Sequence, residues 1–416
     1  MAQLSDDCFA FGGDLMSMTA ALDRVSTVDA TVASESVPLK AAHGRILAEP
    51  LVAPMNVPPH ANSAVDGYAV AFDDLRQNEP TELPIGGRAA PGRALGRAAR
   101  RGEAIRIFTG APMPEGLDTV LMQEDCTETN GAVMIPPGIR RGANRGHAGE
   151  DIKADSTVLM AGRRLRPQEV GIAASLGMTG LSVYRRLRVA VFSTGDEVRD
   201  PGTALPPSAI YDANRYVLTA LLEGLGAAVT DLGILPDRQS AVHDALAAAA
   251  RDHDLLLTSG GMSTGEGDHV KAAVEAQGKL HFWRLAIKPG RPVAMGQIGR
   301  VPFVGLPGNP VAVMVTFLIL ARPLVLRLSG AVDVAPRWFR VTAGFEHKKR
   351  ANRREYVRAR LEAAADGWVA RKFPRDGAGI LSSMVESDGL VEIGEGISVV
   401  HPGNPVEFLP FSEVIS

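Results

Sequence analysis

Leu187-Arg188-Val189-Ala190-Val191-Phe192-Ser193-Thr194-Gly195-Asp196-Glu197 is the stretch that decides the fold class. An apolar run that stops in a hydroxyl, glycine and acid turn reads as a strand over 187–192, buried on both faces. Such a strand belongs in a sheet covered by helices on either side. The residues that follow agree, since Val217, Leu218, Leu221, Leu222 and Leu225 recur at helical spacing and stop at Gly226. A strand over 229–235, an Ala-rich helix over 240–251, a strand over 254–258, a helix over 268–277 and strands over 280–287 and 301–306 continue the alternation. Parallel crossovers are expected. Pro307-Gly308 then turns the chain into a helix with Asn309 as N-cap and Pro310 in its first turn. The apolar run 311–321 halts at Arg322-Pro323, short of the roughly 20 residues that cross a bilayer, and reads as a buried helix.

Outward from this α/β region the texture changes. Before residue 150 and after 331, turns such as Pro58-Pro59, Gly86-Gly87, Pro136-Pro137-Gly138 and Pro402-Gly403-Asn404-Pro405 crowd together, as in small β-rich domains. Helices are expected over 14–26 and 38–48. The 416 residues suffice for two to four domains. With 45% hydrophobic and 22% charged residues the chain folds without staples, and a net charge of −3 gives no global attraction for nucleic acid or an anionic membrane. The basic clusters at 97–101 and 348–354 read as solvated loops. Cys8 and Cys126 make neither a disulfide framework nor a CxxC pair, and the first residues lack a secretory signal, so a cytoplasmic protein is expected.

In an open sheet of this kind, ligands collect outside the carboxyl ends of the strands. The loops expected there read Ser193-Thr194-Gly195-Asp196-Glu197, Pro236-Asp237-Arg238, Ser259 through Gly260, Gly261 and Ser263 to Asp268, Lys288-Pro289-Gly290-Arg291-Pro292, and Leu306-Pro307-Gly308-Asn309-Pro310. Glycines let backbone N–H groups approach a ligand, and helix N-termini add to an anion cradle. A phosphate or oxoanion ligand follows. Glu197, Asp237 and Asp268 would repel it directly, so they read as ligands to an oxygen-loving dication such as Mg²⁺. Each alone would be a helix cap or an ion pair, but three at successive strand ends point to function. Lys288 and Arg291 supply positive charge to the same rim.

Absences narrow the chemistry. The chain has no phosphate-binding G-x-x-x-x-G-K-[ST], no G-x-G-x-x-G opening a helix after a strand, and no histidine pair at metal-binding spacing. Gly261-Met262-Ser263-Thr264-Gly265 matches the nucleophile elbow of hydrolases, but Ser263 stands five residues beyond Thr258, too far for the sharp turn that elbow requires. Ser263 suits hydrogen bonding to an oxoanion better.

Seven ordered blocks carry a resemblance: Asn62-Ser63-Ala64-Val65-Asp66-Gly67-Tyr68-Ala69, Thr109-Gly110-Ala111-Pro112-Met113-Pro114, Gly149-Glu150-Asp151-Ile152, Ser193-Thr194-Gly195-Asp196-Glu197, Ser259-Gly260-Gly261-Met262-Ser263, Lys288-Pro289-Gly290-Arg291-Pro292 and Leu306-Pro307-Gly308-Asn309-Pro310. They resemble the signature blocks of the molybdopterin molybdenumtransferase family, which includes MoeA and the gephyrin E-domain. The resemblance implies an α/β multidomain protein: an elongated dimerisation domain from 11–56 plus 148–184, an inserted β-rich domain over 57–147, a MogA-like doubly wound domain over 185–330, and a C-terminal β barrel over 331–416. It implies a homodimer in which Asp66, Thr109 and Asp151 join a catalytic site formed by Glu197, Asp237 and Asp268. It also implies insertion of molybdenum from molybdate into adenylylated molybdopterin, with Mg²⁺ as cofactor and release of AMP. The substrate donor would be a MogA-like adenylyltransferase and the acceptor a molybdoenzyme or its chaperone. By position, Ser263, Lys288, Arg291, Arg358 and one of Ser382 or Ser383 resemble the family's oxoanion pocket, with Gly260, Gly261 and Asn309 beside it. Arg291 departs from the lysine common there, keeping the charge but widening the donor fork. Two rivals are an adenylyltransferase, which the α/β domain alone would suggest, and a gephyrin-like scaffold. The Asp66 and Thr109 blocks argue against the first, the intact acidic loops against the second.

Overall fold

The computed structural model describes residues 15–236, 238–260 and 269–415. They fall into two compact units, one from 1–49, 161–166 and 180–416, the other from 50–160 and 167–179.

The first unit opens with α1 (Met18–Ser26), capped by the Ser17 side chain on the Ala20 N–H at 3.1 Å. A helix over 38–48 does not form. Instead β1 (Ser34–Pro38) pairs antiparallel with β2 (Gly180–Tyr184), and only a single 3₁₀ turn, Leu39–Ala41, follows. Beyond that turn, antiparallel bridges from Ile46 to Arg164 and from Leu47 to Val183 outweigh the local helical pattern.

The expected α/β domain follows. Its elements are β3 (Arg188–Thr194), α2 (Asn214–Gly224), β4 (Ala228–Leu235), α3 (Gln239–Asp252), β5 (Leu255–Ser259), α4 (His269–Glu275), β6 (Gly278–Arg284), β7 (Ile287–Lys288), β8 (Pro292–Ile298) and β9 (Val301–Leu306). Six strands form a sheet in the order β4, β3, β5, β9, β8, β6. The first four are mutually parallel, but β8 runs antiparallel to both β9 and β6. Sequence reading missed β8: it placed Pro292 in a loop and assigned the rest of the strand to no element. It also fused β6 and β7 into one strand, whereas β7 leaves this sheet. Alternate residues of the central strands serve two cores. Val189, Val191, Leu255 and Leu257 pack with α1 and α2, while Ala190, Phe192, Leu256 and Phe303 pack with α3 and α4. Helices on both faces explain the uninterrupted apolar runs.

The buried helix is longer than its uncharged run. α5 (Pro310–Leu328) continues past Arg322-Pro323 because a π-helical turn, Phe317–Ala321, resets the hydrogen-bond register just before the proline, which has no N–H to offer. Arg322 Nη1 donates to the carbonyl of Val334 at 3.0 Å and Nη2 to that of Glu413 at 3.4 Å, while the buried Nε has no partner among the described residues. By length and apolarity this helix alone among the described residues could span a membrane, yet its 18-residue apolar window is 83% buried within the protein.

A β barrel completes the unit. β10 (Phe339–Ala343), β11 (Arg354–Ala364), β12 (Gly367–Lys372), β13 (Gly389–Ile393) and β14 (Pro405–Pro410) close in the order β11, β12, β10, β14, β13 and back to β11. Val357, Val391 and Phe408 fill its interior, while Tyr356, Leu390 and Leu409 point the other way, into the core that holds α5. β7 adds to the barrel as a sixth strand, placing Lys288 opposite Glu355.

The second unit is built on a six-stranded sheet ordered Thr119–Met122, Gly67–Val70, Ala104–Ile107, Thr81–Ala89, Ala132–Ile135, Thr127–Thr129. Its strands are short and joined by turns, as the composition foretold.

Leu320, fully buried in α5, gives a test of the shared core. Leu320→Ala should lower unfolding free energy by about 2–5 kcal/mol, read as a shifted denaturant midpoint. A shift below about 1 kcal/mol would mean that α5 is not packed as described.

Candidate functional site

Parallel register brings three loops to one edge of the sheet. Ser193 pairs with Ser259 and Ser259 with Leu306, so the loops that leave β3, β5 and β9 start side by side. The stretch after β6 rises on the same edge, because β6 runs parallel to β9 across the antiparallel β8. Two of its turns need glycine. Gly195 has φ +132° and a Cβ there would lie 2.7 Å from the Glu197 carboxylate; Gly290 has φ +99° and its Cβ would lie 2.5 Å from the Thr316 hydroxyl.

Above this edge lies a cavity of about 500 Å³. Glu197, Gly260, Lys288 and Asn309 reach it from the α/β domain, and Arg358 reaches it from β11 of the barrel. Asn309 is the positional N-cap of α5, but its side chain makes no capping bond, so the amide remains available to the cavity. A smaller cavity of about 100 Å³ shares Glu197, Gly260 and Gly308 with the first. The buried hydroxyls of Ser193, Thr194 and Ser259 line it, and they have no hydrogen-bond partner among the described residues. Unsatisfied buried donors at strand ends are what a polar ligand would satisfy.

Arg358 is 7% exposed. Its Nε donates to Ser383 Oγ at 3.0 Å and its Nη2 to the carbonyls of Arg375 and Gly377 at 3.3 and 3.2 Å. Burial pushes its pKa down, and the charge of Asp376 opposes it. A guanidinium nonetheless stays charged. Ser383 is fully buried, holding Arg358 and donating to the Ile380 carbonyl, whereas Ser382 is exposed; neither lines the cavity. Arg291 is exposed and off the cavity wall, although its carbonyl accepts the Leu285 N–H at 2.8 Å. Asp237, Gly261, Ser263 and Asp268 lie outside the described residues. Among the described residues no group of three His, Cys, Asp or Glu side chains could hold a metal ion.

The barrel contributes residues that sequence reading did not single out: His347, Glu355, Lys372 and Asp376. Glu355 is 2% exposed and receives His347 Nε2 at 2.9 Å and Arg353 Nε at 2.8 Å, with Lys288 Nζ at 3.8 Å. Burial alone would raise its pKa, but the hydrogen bonds from His347 and Arg353 and the Lys288 charge outweigh it and hold the carboxyl below its usual range. Glu355 and Arg358, two charges inside the apolar strand Glu355-Tyr356-Val357-Arg358-Ala359, were the available signal.

In the second unit, antiparallel pairing of Gly67 with Ile107 sets Asp66 beside Thr109. Asp66 Oδ1 accepts from both the N–H and the hydroxyl of Thr109, each at 2.8 Å, and these two bonds hold its pKa below the usual range. Asp151 is exposed, with its N–H on the Val57 carbonyl at 3.1 Å.

Because Glu355 is held ionised in the fold, its stabilisation is present above the unfolded carboxylate range and is lost as pH falls through the lowered folded value. The melting-temperature gap between the parent and Glu355→Gln should therefore be widest near neutrality and close below about pH 4. A gap independent of pH would contradict this pairing.

The chain matches three family models in order: the MoeA N-terminal region (domains I and II) over residues 16–177, a probable molybdopterin binding domain over 190–327, and the MoeA C-terminal region (domain IV) over 340–411. It is 37% identical to the molybdopterin molybdenumtransferase of Haemophilus influenzae over 385 residues, covering 92% of this chain and 95% of that protein. It is 33% identical to the enzyme of the same name from a Nostoc species, covering 92% and 90%. Among solved structures, the molybdopterin biosynthesis MoeA protein of Pyrococcus horikoshii superposes with a TM-score of 0.83 at 27% identity, covering 95% of this chain and all of that one. With the MogA-like sheet and the closed C-terminal barrel both in place, the chain belongs to the molybdopterin molybdenumtransferase family, transferases of molybdenum cofactor biosynthesis.

Proposed function

We propose that this chain inserts molybdenum from molybdate into adenylylated molybdopterin, releasing AMP, and that the larger cavity holds the oxoanion. The observation that carries the reading is Arg358, a buried cation without a salt-bridge partner among the described residues, lining the same cavity as Lys288. A buried cation of this kind is costly unless an anion completes it. A tetrahedral dianion would take charge-assisted hydrogen bonds from both side chains.

The balance of the reaction asks for no nucleophilic side chain. Two thiol protons of the dithiolene and one molybdate oxygen leave as water when the two Mo–S bonds form; one water cleaves the pyrophosphate bond to free AMP. Molybdenum stays hexavalent throughout. The protein's work is to bind, orient and screen charge, which suits glycine-rich loops and fixed cations. Glu197, with Asp237 and Asp268, would hold Mg²⁺. Carboxylate oxygens are the donors this ion takes, and it needs only one or two of them while keeping its own waters. When bound it would supply positive charge against the phosphates. The substrate would come from a MogA-like adenylyltransferase and the product would pass to a molybdoenzyme or its chaperone, in the cytoplasm.

A molybdate titration of single-turnover insertion, with Mg²⁺ and adenylylated pterin saturating, tests the oxoanion assignment. Arg358→Met should raise the half-maximal molybdate concentration about tenfold or more, the loss of at least one charge-assisted hydrogen bond. Arg291→Ala, off the cavity wall, should move it less. An unchanged midpoint in Arg358→Met would refute the assignment.

We also propose a homodimer whose composite site needs Asp66, a carboxylate that is fixed and ionised yet not buried. Light scattering should give twice the chain mass. Asp66→Ala should keep that mass and a melting curve near the parent's while losing most turnover, since a carboxylate set for a ligand is rarely set for packing. A fully active monomer, or normal turnover in Asp66→Ala, would sink this part of the reading.

A further inference from the structure

Lys372, on β12, lines the same cavity as Lys288 and Arg358, but nothing so far gives it a task. Its Nζ lies 3.2 Å from Nδ1 of His347 and 3.0 Å from Asp376. His347 is 8% exposed, and its other nitrogen, Nε2, lies 2.9 Å from Glu355 Oε2. An ammonium only donates and a carboxylate only accepts. The two contacts therefore fix one tautomer of a neutral ring: the proton sits on Nε2, donated to Glu355, and Nδ1 offers its lone pair to Lys372. On the far side of Glu355, Lys288 stands 3.8 Å from the same oxygen. One neutral imidazole thus orients Lys372 without cancelling its charge, which a carboxylate in that place would do.

Asp376 cancels little of that charge. Its side chain is 65% exposed while that of Lys372 is 17% exposed, so the pair is screened by water on the Asp376 side. An ammonium has three donors; His347 and Asp376 are two partners, and a ligand in the cavity can be the third.

We infer that Lys372 is a third anion-binding residue of this cavity, positioned by His347, and that it makes the site favour doubly over singly charged tetrahedral oxoanions. The inference rests on the oxoanion reading above. Added to a site that already holds two cations, one more attracts a dianion twice as strongly as a monoanion at the same distance. Shape does not enter. Tungstate and perrhenate provide the probe, being tetrahedral anions of nearly equal size that differ in charge.

Calorimetric titration of the purified full-length chain with each anion is the test. Lys372→Met should weaken tungstate about tenfold or more and perrhenate by a smaller factor, so the tungstate-to-perrhenate preference falls. Lys372→Arg, which keeps the charge, should retain most of the preference and serves as a second variant should the methionine fail to fold. His347→Gln keeps a donor for Glu355 but has no acceptor at the Nδ1 position that Lys372 uses; it should lower the same preference at an unchanged melting temperature, which a merely structural histidine would not do. Tungstate binding unaltered in Lys372→Met but lost in Arg358→Met would overturn the inference and leave the oxoanion site standing. Equal weakening of both anions would overturn the charge selection. Absence of tungstate binding in the parent would overturn the oxoanion reading itself, and the inference with it.

Discussion

Two backbone pairings, Ile287 with Arg354 and Lys288 with Glu355, hold the candidate site together. They extend the barrel by one short strand taken from the α/β domain, and side chains in such a ladder alternate faces with a period of two. A slip of one residue would turn Lys288 away from the cavity and remove the cation facing Glu355. The register is secured from both sides. Arg354 N–H donates to the Ala286 carbonyl at 2.8 Å, and Leu285 N–H donates to the Arg291 carbonyl at the other end of the loop.

That junction is stable because the two domains share a core. Tyr356, Leu390 and Leu409 leave the barrel wall to pack in the same cluster as α1, α2 and α5, so the barrel is not tethered by polar contacts alone. α5 lies at the centre of this cluster and its apolarity follows from that position. The cost of the arrangement is charge. Glu355 and Arg358 sit on a strand whose neighbours are apolar, and each is kept by partners: Glu355 by His347, Arg353 and Lys288, Arg358 by a serine and two carbonyls. The first set neutralises its carboxylate; the second gives the guanidinium hydrogen-bond acceptors without neutralising it. The asymmetry leaves the cavity electropositive at Arg358.

The acidic element of the second unit follows a different rule. Asp66 is not buried, and what fixes it is the antiparallel pairing that brings Thr109 to its side. Two hydrogen bonds to one oxygen orient the carboxylate and leave the other oxygen without a partner among the described residues. Sequence reading marked both residues from their blocks but had no means of pairing them, since 43 positions separate them.

The sequence by itself determined the local alternation of strand and helix over 188–306, the placing of glycine where positive φ or close approach demands it, and the candidate loops at the strand ends. These are short-range properties, written in periodicity and turn chemistry. It misplaced 38–48, because pairing with distant segments overrides local propensity, and it overlooked β8, a neighbour of β6 and β9 in the chain whose proline, alanine, glycine and glutamine give a weak strand pattern. Only the tertiary structure decided that Arg358 and Lys288 line one cavity, that Ser383 supports Arg358 while Arg291 stays off the wall, and that His347 and Lys372 join them. Those relations arise from barrel closure and from one two-residue strand addition, contacts between segments far apart in the chain, 25 residues for Arg358 and Ser383 and for His347 and Lys372, whose register is set by the whole core and not by any stretch of neighbouring residues.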